Sequence, residues 1–272
     1  SSPPSPSLFF FYLFVYLCDL HSFPTRRSSD LHIGHTKAAL ASEQFARDHN
    51  GIFVLRFDDT NPKVESKEFE EKILADITLL DLHPDRIERT SDFKPKIFEY
   101  LVQMIKDGIA YVDDTPMDQI KEHRRKLEPS PNRDIPVEKS LALWEEMKKG
   151  TEKGFSCVVR AKIDYKSNNG CFRDPVIDRC IAVEGHEGSP VYPMYDLACP
   201  IVDSIGGITH AMRSWEYTDR DEQYRWFIKN LKLRPVQIVS FSRLSFNRTD
   251  RKSTRLNTSH EWSSYDVICM NK

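Results

Sequence analysis

At 272 residues the chain is long enough for one large domain or for one domain carrying an insertion, and its 39 Lys and Arg against 41 Asp and Glu leave a formal net charge of −2. That balance excludes nucleic-acid binding driven by net charge, so any contact with RNA has to use local patches. Cys157, Cys171, Cys180 and Cys199 form no CxxC pair and have no matching histidine spacing, which excludes a structural zinc or disulfide framework and favours a reduced, cytoplasmic setting.

The first element in chain order is the apolar run Leu8 to Cys18 (LFFFYLFVYLC). Its length suits the core of a signal peptide and is too short to cross a bilayer. No Lys or Arg precedes it and no small-residue cleavage site follows. It abuts residues 19–31 (DLHSFPTRRSSDL), which resemble the translated frame of a sequencing adapter, and residues 250–260 (DRKSTRLNTSH) resemble the partner adapter. Segments 1–31 and 250–272 are therefore set outside the fold as non-native, disordered ends. No membrane role is assigned to the apolar run.

His32-Ile33-Gly34-His35 opens a helix continuing to His49, which Asn50-Gly51 caps. A glycine at such a start lets a nucleotide approach the backbone, two imidazoles reach its phosphates, and the helix N-terminus adds free N–H groups and positive potential. Ile52 to Phe57 (IFVLRF) reads as a buried parallel strand, with Asp58-Asp59-Thr60-Asn61-Pro62 turning at its end. Helical periods follow over Lys63 to Leu80 and Phe93 to Asp107, the second closed by Gly108. From Tyr111 the character changes. Lys121 to Arg133 is charged and interrupted by prolines, Glu138 to Lys149 is helical, Phe155 to Asp164 is a strand, and Asn168-Asn169-Gly170 is a turn. Strands at Val191 to Tyr195 and Ile208 to Arg213 enclose a helix near Leu197 to Ile205. Asp221 to Leu231 is a helix and Val236 to Phe241 a final strand.

Alternating strands and helices imply an α/β fold with a doubly wound, Rossmann-like parallel sheet. The first half of the catalytic domain is 32–109, an α+β insertion occupies 110–190, and the second half is 191–249. The strand expected before His32 is missing from this reading, which leaves the sheet incomplete.

The blocks LHIGHTKAAL, LRFDDTNP, GIAYVDDTP, VVRAKID, FRDP, VYPMYDLACPIVDSIGGITHAMR, EYTDRDEQY and FSRLSF occur in the order found in the eukaryotic and archaeal glutamyl- and glutaminyl-tRNA synthetases. The chain resembles that class I family over essentially all of 31–249. The resemblance implies ATP as substrate with its Mg2+, no structural metal, and a tRNA acceptor stem bound by the insertion. It places His32 and His35 at the charge that develops on the α-phosphate. Gly34, Arg243 and Leu244 join them as nucleotide contacts. Asp58 and Tyr195 hold the substrate ammonium, and Asp219 lies near the acceptor stem. Arg213 stands where the glutamyl enzymes carry arginine, and a side-chain carboxylate matches a guanidinium where a neutral amide does not. Glutamate and tRNA(Glu) are thus the implied substrates, with glutamine the alternative. The parent protein is implied to be a cytoplasmic synthetase or the glutamyl half of a bifunctional one, open to a multi-synthetase complex and not to a membrane. Lys121, Arg124, Arg125 and Lys126 are either phosphate contacts or a solvated helix face.

Three features depart from the family pattern. The Ser-Lys loop expected after Thr249 is replaced by Asp250-Arg251-Lys252-Ser253, the anticodon-binding region is absent, and Gly206 stands at a usually acidic position. On this reading the polypeptide as written is inactive, or is a non-catalytic fragment that binds ATP or tRNA.

Overall fold

The computed structural model describes residues 10–15, 33–61, 67–182 and 189–242. Strand β1 (Phe10–Val15) leads, after the intervening segment, to helix α1 (Ile33–Asp48), β2 (Ile52–Phe57), α2 (Lys67–Leu79) and β3 (Arg86–Arg89). A 3-10 turn (Thr90–Phe93) passes into α3 (Lys94–Lys106) and β4 (Ala110–Asp113). Then come α4 (Met117–Lys126), α5 (Val137–Lys149), α6 (Glu152–Phe155), β5 (Val158–Ala161), a 3-10 turn (Gly170–Phe172), β6 (Val176–Cys180) and β7 (Val191–Pro193). The last elements are α7 (Tyr195–Ile205), β8 (His210–Ser214), a 3-10 helix (Trp215–Arg220), α8 (Asp221–Asn230) and β9 (Gln237–Phe241).

Two sheets result. One is parallel throughout, in the order β3-β2-β1-β8-β9; the other is antiparallel, β4-β5-β6-β7. The strand order reverses between β1 and β8, and open α/β sheets bind ligands at the carboxyl ends of the strands flanking such a reversal. β2 is buried from Phe53 to Phe57, as a strand covered on both faces requires.

The position of β1 corrects the sequence reading, which left 1–31 outside the fold and the sheet without its first strand. Phe10–Val15 pairs in register with all six residues of β2 and meets His210 and Ala211 of β8 on its other side. β2 and β8 otherwise face each other with unpaired backbone groups, and an extended six-residue segment satisfies both ladders at once. Judging the apolar run by its flanks overlooked that demand.

Val191–Pro193 belongs to the antiparallel sheet, so that sheet extends past residue 190. The larger core is continuous across the chain: Ile97, Leu101 and Met104 of α3 pack with Trp144 of α5, Val159 of β5, Ile201 of α7 and Phe227 of α8. A smaller core under the parallel sheet joins Ala39 and Ala46 of α1, Phe53, Leu55 and Phe57 of β2, and Ile73 and Ile77 of α2. No helix among the described residues is long and apolar enough to cross a membrane.

Candidate active site

Asp58 follows directly on β2, at the carboxyl edge of the parallel sheet, and is only 8% exposed. Burial lifts its carboxyl to about 6 against the pull of hydrogen bonds from Thr60 and Thr90 and of the Arg56 charge, with Asp59 adding to the lift. Its Oδ1 is buried and receives no hydrogen bond from the described residues. The neighbouring Asp59 is engaged in the scaffold: it accepts from the Ser91 N–H at 2.7 Å and from the Ser91 hydroxyl.

Arg213 sits on β8 and is 9% exposed. Its Nη2 donates to the Tyr195 hydroxyl at 2.9 Å and its Nη1 to Asp221 Oδ1 at 3.1 Å. The guanidinium lies between two rings, its Cζ 5.8 Å from the centre of Tyr195 and 5.3 Å from that of Tyr224. Burial works against its charge, but Tyr195, Cys199 and Asp221 outweigh that cost and hold its pKa above the ordinary arginine value. Asp221 is the acidic partner of Arg213.

Tyr195 opens α7 because Met194 leaves β7 in extended backbone and donates its N–H to Ile177 O at 2.8 Å. Two adjoining depressions are lined by Tyr195, Cys199, Arg213 and Tyr224, with Asp203 flooring one and Gln223 the other. Burial drives the Cys199 thiol well above its usual pKa, and it feels Asp58 and Asp203 against Arg213 and Arg56. Asp58, just past the end of β2, does not line either depression. The Tyr224 hydroxyl donates to Asp203 Oδ2 at 2.8 Å, and Arg56 Nη1 donates to Asp203 Oδ1 at 2.5 Å.

Gly34 and His35 fall in the first turn of α1, and His35 is half-buried. His32, Arg243 and Leu244 lie outside the described residues. Lys37 of α1 donates to Ser242 O at 2.6 Å, so the helix that carries Gly34 and His35 touches the residue just before Arg243. Asp219 is exposed at the rim, and its carbonyl accepts from Asn169 Nδ2 at 2.7 Å, which ties the 3-10 helix to the loop before β6. Among the four basic residues weighed as phosphate contacts, Arg125 and Lys126 pair with Glu122 and Lys121 with Asp118. Arg124 instead turns inward to the carbonyls of Arg173 and Gly170. No three His, Cys, Asp or Glu side chains converge as a metal site among the described residues.

Sequence reasoning missed Cys199, Asp203, Asp221 and Tyr224. A signal existed for the last two: spaced three apart at the start of a helix, Asp221 and Tyr224 share one face with Phe227 and Ile228, and that face turns inward.

Comparison with known proteins bears on the same segments. The chain matches the family described as tRNA synthetases class I (E and Q), catalytic domain, over residues 22–268. It is 50% identical over 230 residues to a bifunctional glutamate/proline–tRNA ligase of Mus musculus, covering 84% of this chain and 15% of that protein. It is also 50% identical over 231 residues to a cytoplasmic glutamate–tRNA ligase of Saccharomyces cerevisiae, covering 84% of this chain and 33% of that one. The chain thus spans a third or less of these relatives. Its fold is similar to the crystal structure of a glutamate-tRNA synthetase from Elizabethkingia anophelis, with a TM-score of 0.57 at 19% identity over 79% of this chain and 48% of that one. The parallel sheet, the site at its carboxyl edge and the extent of the match agree: the chain belongs to the class I tRNA synthetases of the E and Q type, in their catalytic domain.

Proposed function

We propose that the protein is the catalytic-domain part of an enzyme that activates glutamate with ATP and transfers it to tRNA(Glu) in the cytoplasm. One observation carries the reading: the parallel sheet holds a buried, charged guanidinium at Arg213 on β8 and, directly after β2, a buried carboxylate at Asp58 whose Oδ1 has no hydrogen-bond partner among the described residues. An α-amino acid with an anionic side chain is complementary to that pair. Its ammonium donates to Asp58 Oδ1 and to the Tyr195 hydroxyl oxygen, and its side-chain carboxylate meets Arg213. Glutamine fits less well, because a neutral amide leaves the guanidinium with only Asp221 to balance it.

With the amino acid so held, an oxygen of its α-carboxylate attacks the α-phosphorus of ATP, the bond to pyrophosphate breaks, and glutamyl-adenylate forms. The first turn of α1, with Gly34 and His35 and the preceding His32, faces the phosphates and offsets the charge that builds on them. The 3′-terminal hydroxyl of the tRNA then attacks the acyl carbon, loses its proton and displaces AMP. The chemistry is positioning and charge stabilisation, with no protein nucleophile. Mg2+ comes with the nucleotide. The exposed Asp219, on the rim shared with the loop before β6, is assigned to the acceptor stem. Arg243 and Leu244, just past the Lys37–Ser242 contact, are assigned to the adenosine. The bifunctional relatives make a multi-synthetase setting a natural partner context.

ATP–pyrophosphate exchange tests the reading. Glutamate-dependent exchange that exceeds both the glutamine-dependent rate and the rate of a His35→Ala variant supports it. Equal rates with the two amino acids would refute the assignment to glutamate.

A further inference from the structure

Arg213 is held from two helices, by the Tyr195 hydroxyl of α7 at 2.9 Å on Nη2 and by α8 on the other side. Asp221, the first residue of α8, accepts from Nη1 at 3.1 Å, and Tyr224, one turn further, sets its ring 5.3 Å from Cζ. Tyr224 is itself fixed, because its hydroxyl is held by Asp203 at 2.8 Å and Asp203 by Arg56 at 2.5 Å. A guanidinium carries five N–H donors. The Tyr195 hydroxyl takes one of them, and Asp221 takes another, through one oxygen, at a length above the usual range of about 2.7–2.9 Å for a charge-assisted pair. It steadies the group without saturating it. At the N-terminus of α8, part of the Asp221 charge is offset by the helix dipole, which lessens its repulsion of an incoming carboxylate.

We propose that Asp221 is the positioning residue of this pocket: it fixes the rotation of the Arg213 guanidinium so that its unused N–H groups face the space beside Cys199, and thereby sets the preference for a carboxylate over an amide. The proposal rests on the reading of Arg213 as the contact to the glutamate side chain. A guanidinium at the end of a flexible chain must otherwise be ordered when ligand binds, and ordering it beforehand removes that cost from the binding step. The same anchor keeps the charge balanced while the pocket is empty, so Arg213 stays buried rather than turning to solvent.

The test uses the whole 272-residue protein. Amino-acid and ATP affinities are measured by calorimetry, and the rotation of the Arg213 Nη groups is followed by 15N NMR. Asp221→Ala is expected to weaken glutamate binding about tenfold, to leave ATP and glutamine affinities in place, and to average the separate Nη signals into one. Asp221→Asn, which retains an acceptor oxygen, is expected to recover most of the glutamate affinity. An Asp221→Ala protein that binds glutamate as tightly as the parent overturns the proposal. So does one that loses ATP affinity to the same degree, since that marks general damage to the fold. If the parent protein binds no glutamate, the functional reading fails by itself. The Nη signals then decide the positioning: it stands if Asp221→Ala averages them and falls if they are unchanged.

Discussion

Two buried acids, Asp58 and Asp178, both hold their protons more tightly than a free carboxyl does, through burial. Asp58 sits at about 6 through burial, with an oxygen left over for a ligand. Below that value it is neutral and has no charge to offer an ammonium, so glutamate affinity should fall as pH drops from 7 to 5, with a midpoint near 6 in the ligand-free protein; calorimetric titrations across that range check it. Asp178 on β6 is wholly buried, and no side chain among the described residues donates a hydrogen bond to its carboxylate. Burial raises its pKa well above the usual value, opposed by the Lys94 charge and by the backbone N–H and charge of Arg179. Lys94 rests 4.0 Å from the Tyr192 ring centre, and burial lowers its own pKa. The folded state therefore holds the Asp178 proton more tightly than the unfolded chain does. Its stability is greatest where both states keep that proton and declines as pH rises through the ordinary carboxyl range toward the folded value. Asp178→Asn should remove this decline and add about 1–3 kcal/mol at neutral pH, read from urea unfolding at pH 4 and 7.

Among the elements, the short helix α6 depends most on a single residue. Gly154 sits against the end of α5, where a Cβ would come 2.2 Å from Glu146 O and 2.8 Å from Met147 Cα, both backbone atoms that cannot swing aside. Gly154→Ala should push α6 off α5 and cost about 1–3 kcal/mol, seen as a lower unfolding midpoint. Local patterning told the elements apart unevenly. Strand β2 and helices α1, α3, α5 and α8 carry strong apolar periods or end signals, and their expected spans agree with the structure to within a few residues. Strand β3 (RIER) was not legible: at the edge of the sheet it buries none of its residues fully, and Glu88 instead receives Arg56 from the next strand. Helix α4 was unread for a related reason, since Ile120 is its only buried residue and its charged side chains conceal the period. Of the site, Asp58, Tyr195 and Arg213 were legible through whole blocks of sequence. Asp203 was not, because a buried acid on an apolar helix is explained only by Arg56, 147 residues away in the chain.

The molecule as a whole is joined by charge where its apolar cores stop. Arg56, 1% exposed, bridges Asp203 of α7 and Glu88 of β3, and Arg86 reaches from β3 to Glu88 at 2.7 Å and to Gly206 O at 2.6 Å. Strands β2 and β3 meet the C-terminal end of α7 through this network. Arg56→Met leaves Asp203 and Glu88 without that counter-charge and should cost about 3–5 kcal/mol in urea unfolding. It should also free the Tyr224 hydroxyl from a fixed acceptor and so loosen the aromatic contact beside Arg213. The uninterrupted core from α3 through the antiparallel sheet to α7 and α8 has a kinetic corollary. Slow amide hydrogen exchange should group β4, β5 and β6 with α3 and α7 in one late-opening unit, while α1 and α2, packed on the smaller core, open earlier and independently. A protease acting on transiently opened chains would then cut first in the N-terminal third, leaving a fragment in which Arg213, Tyr195 and Asp221 remain assembled but Asp58 is lost.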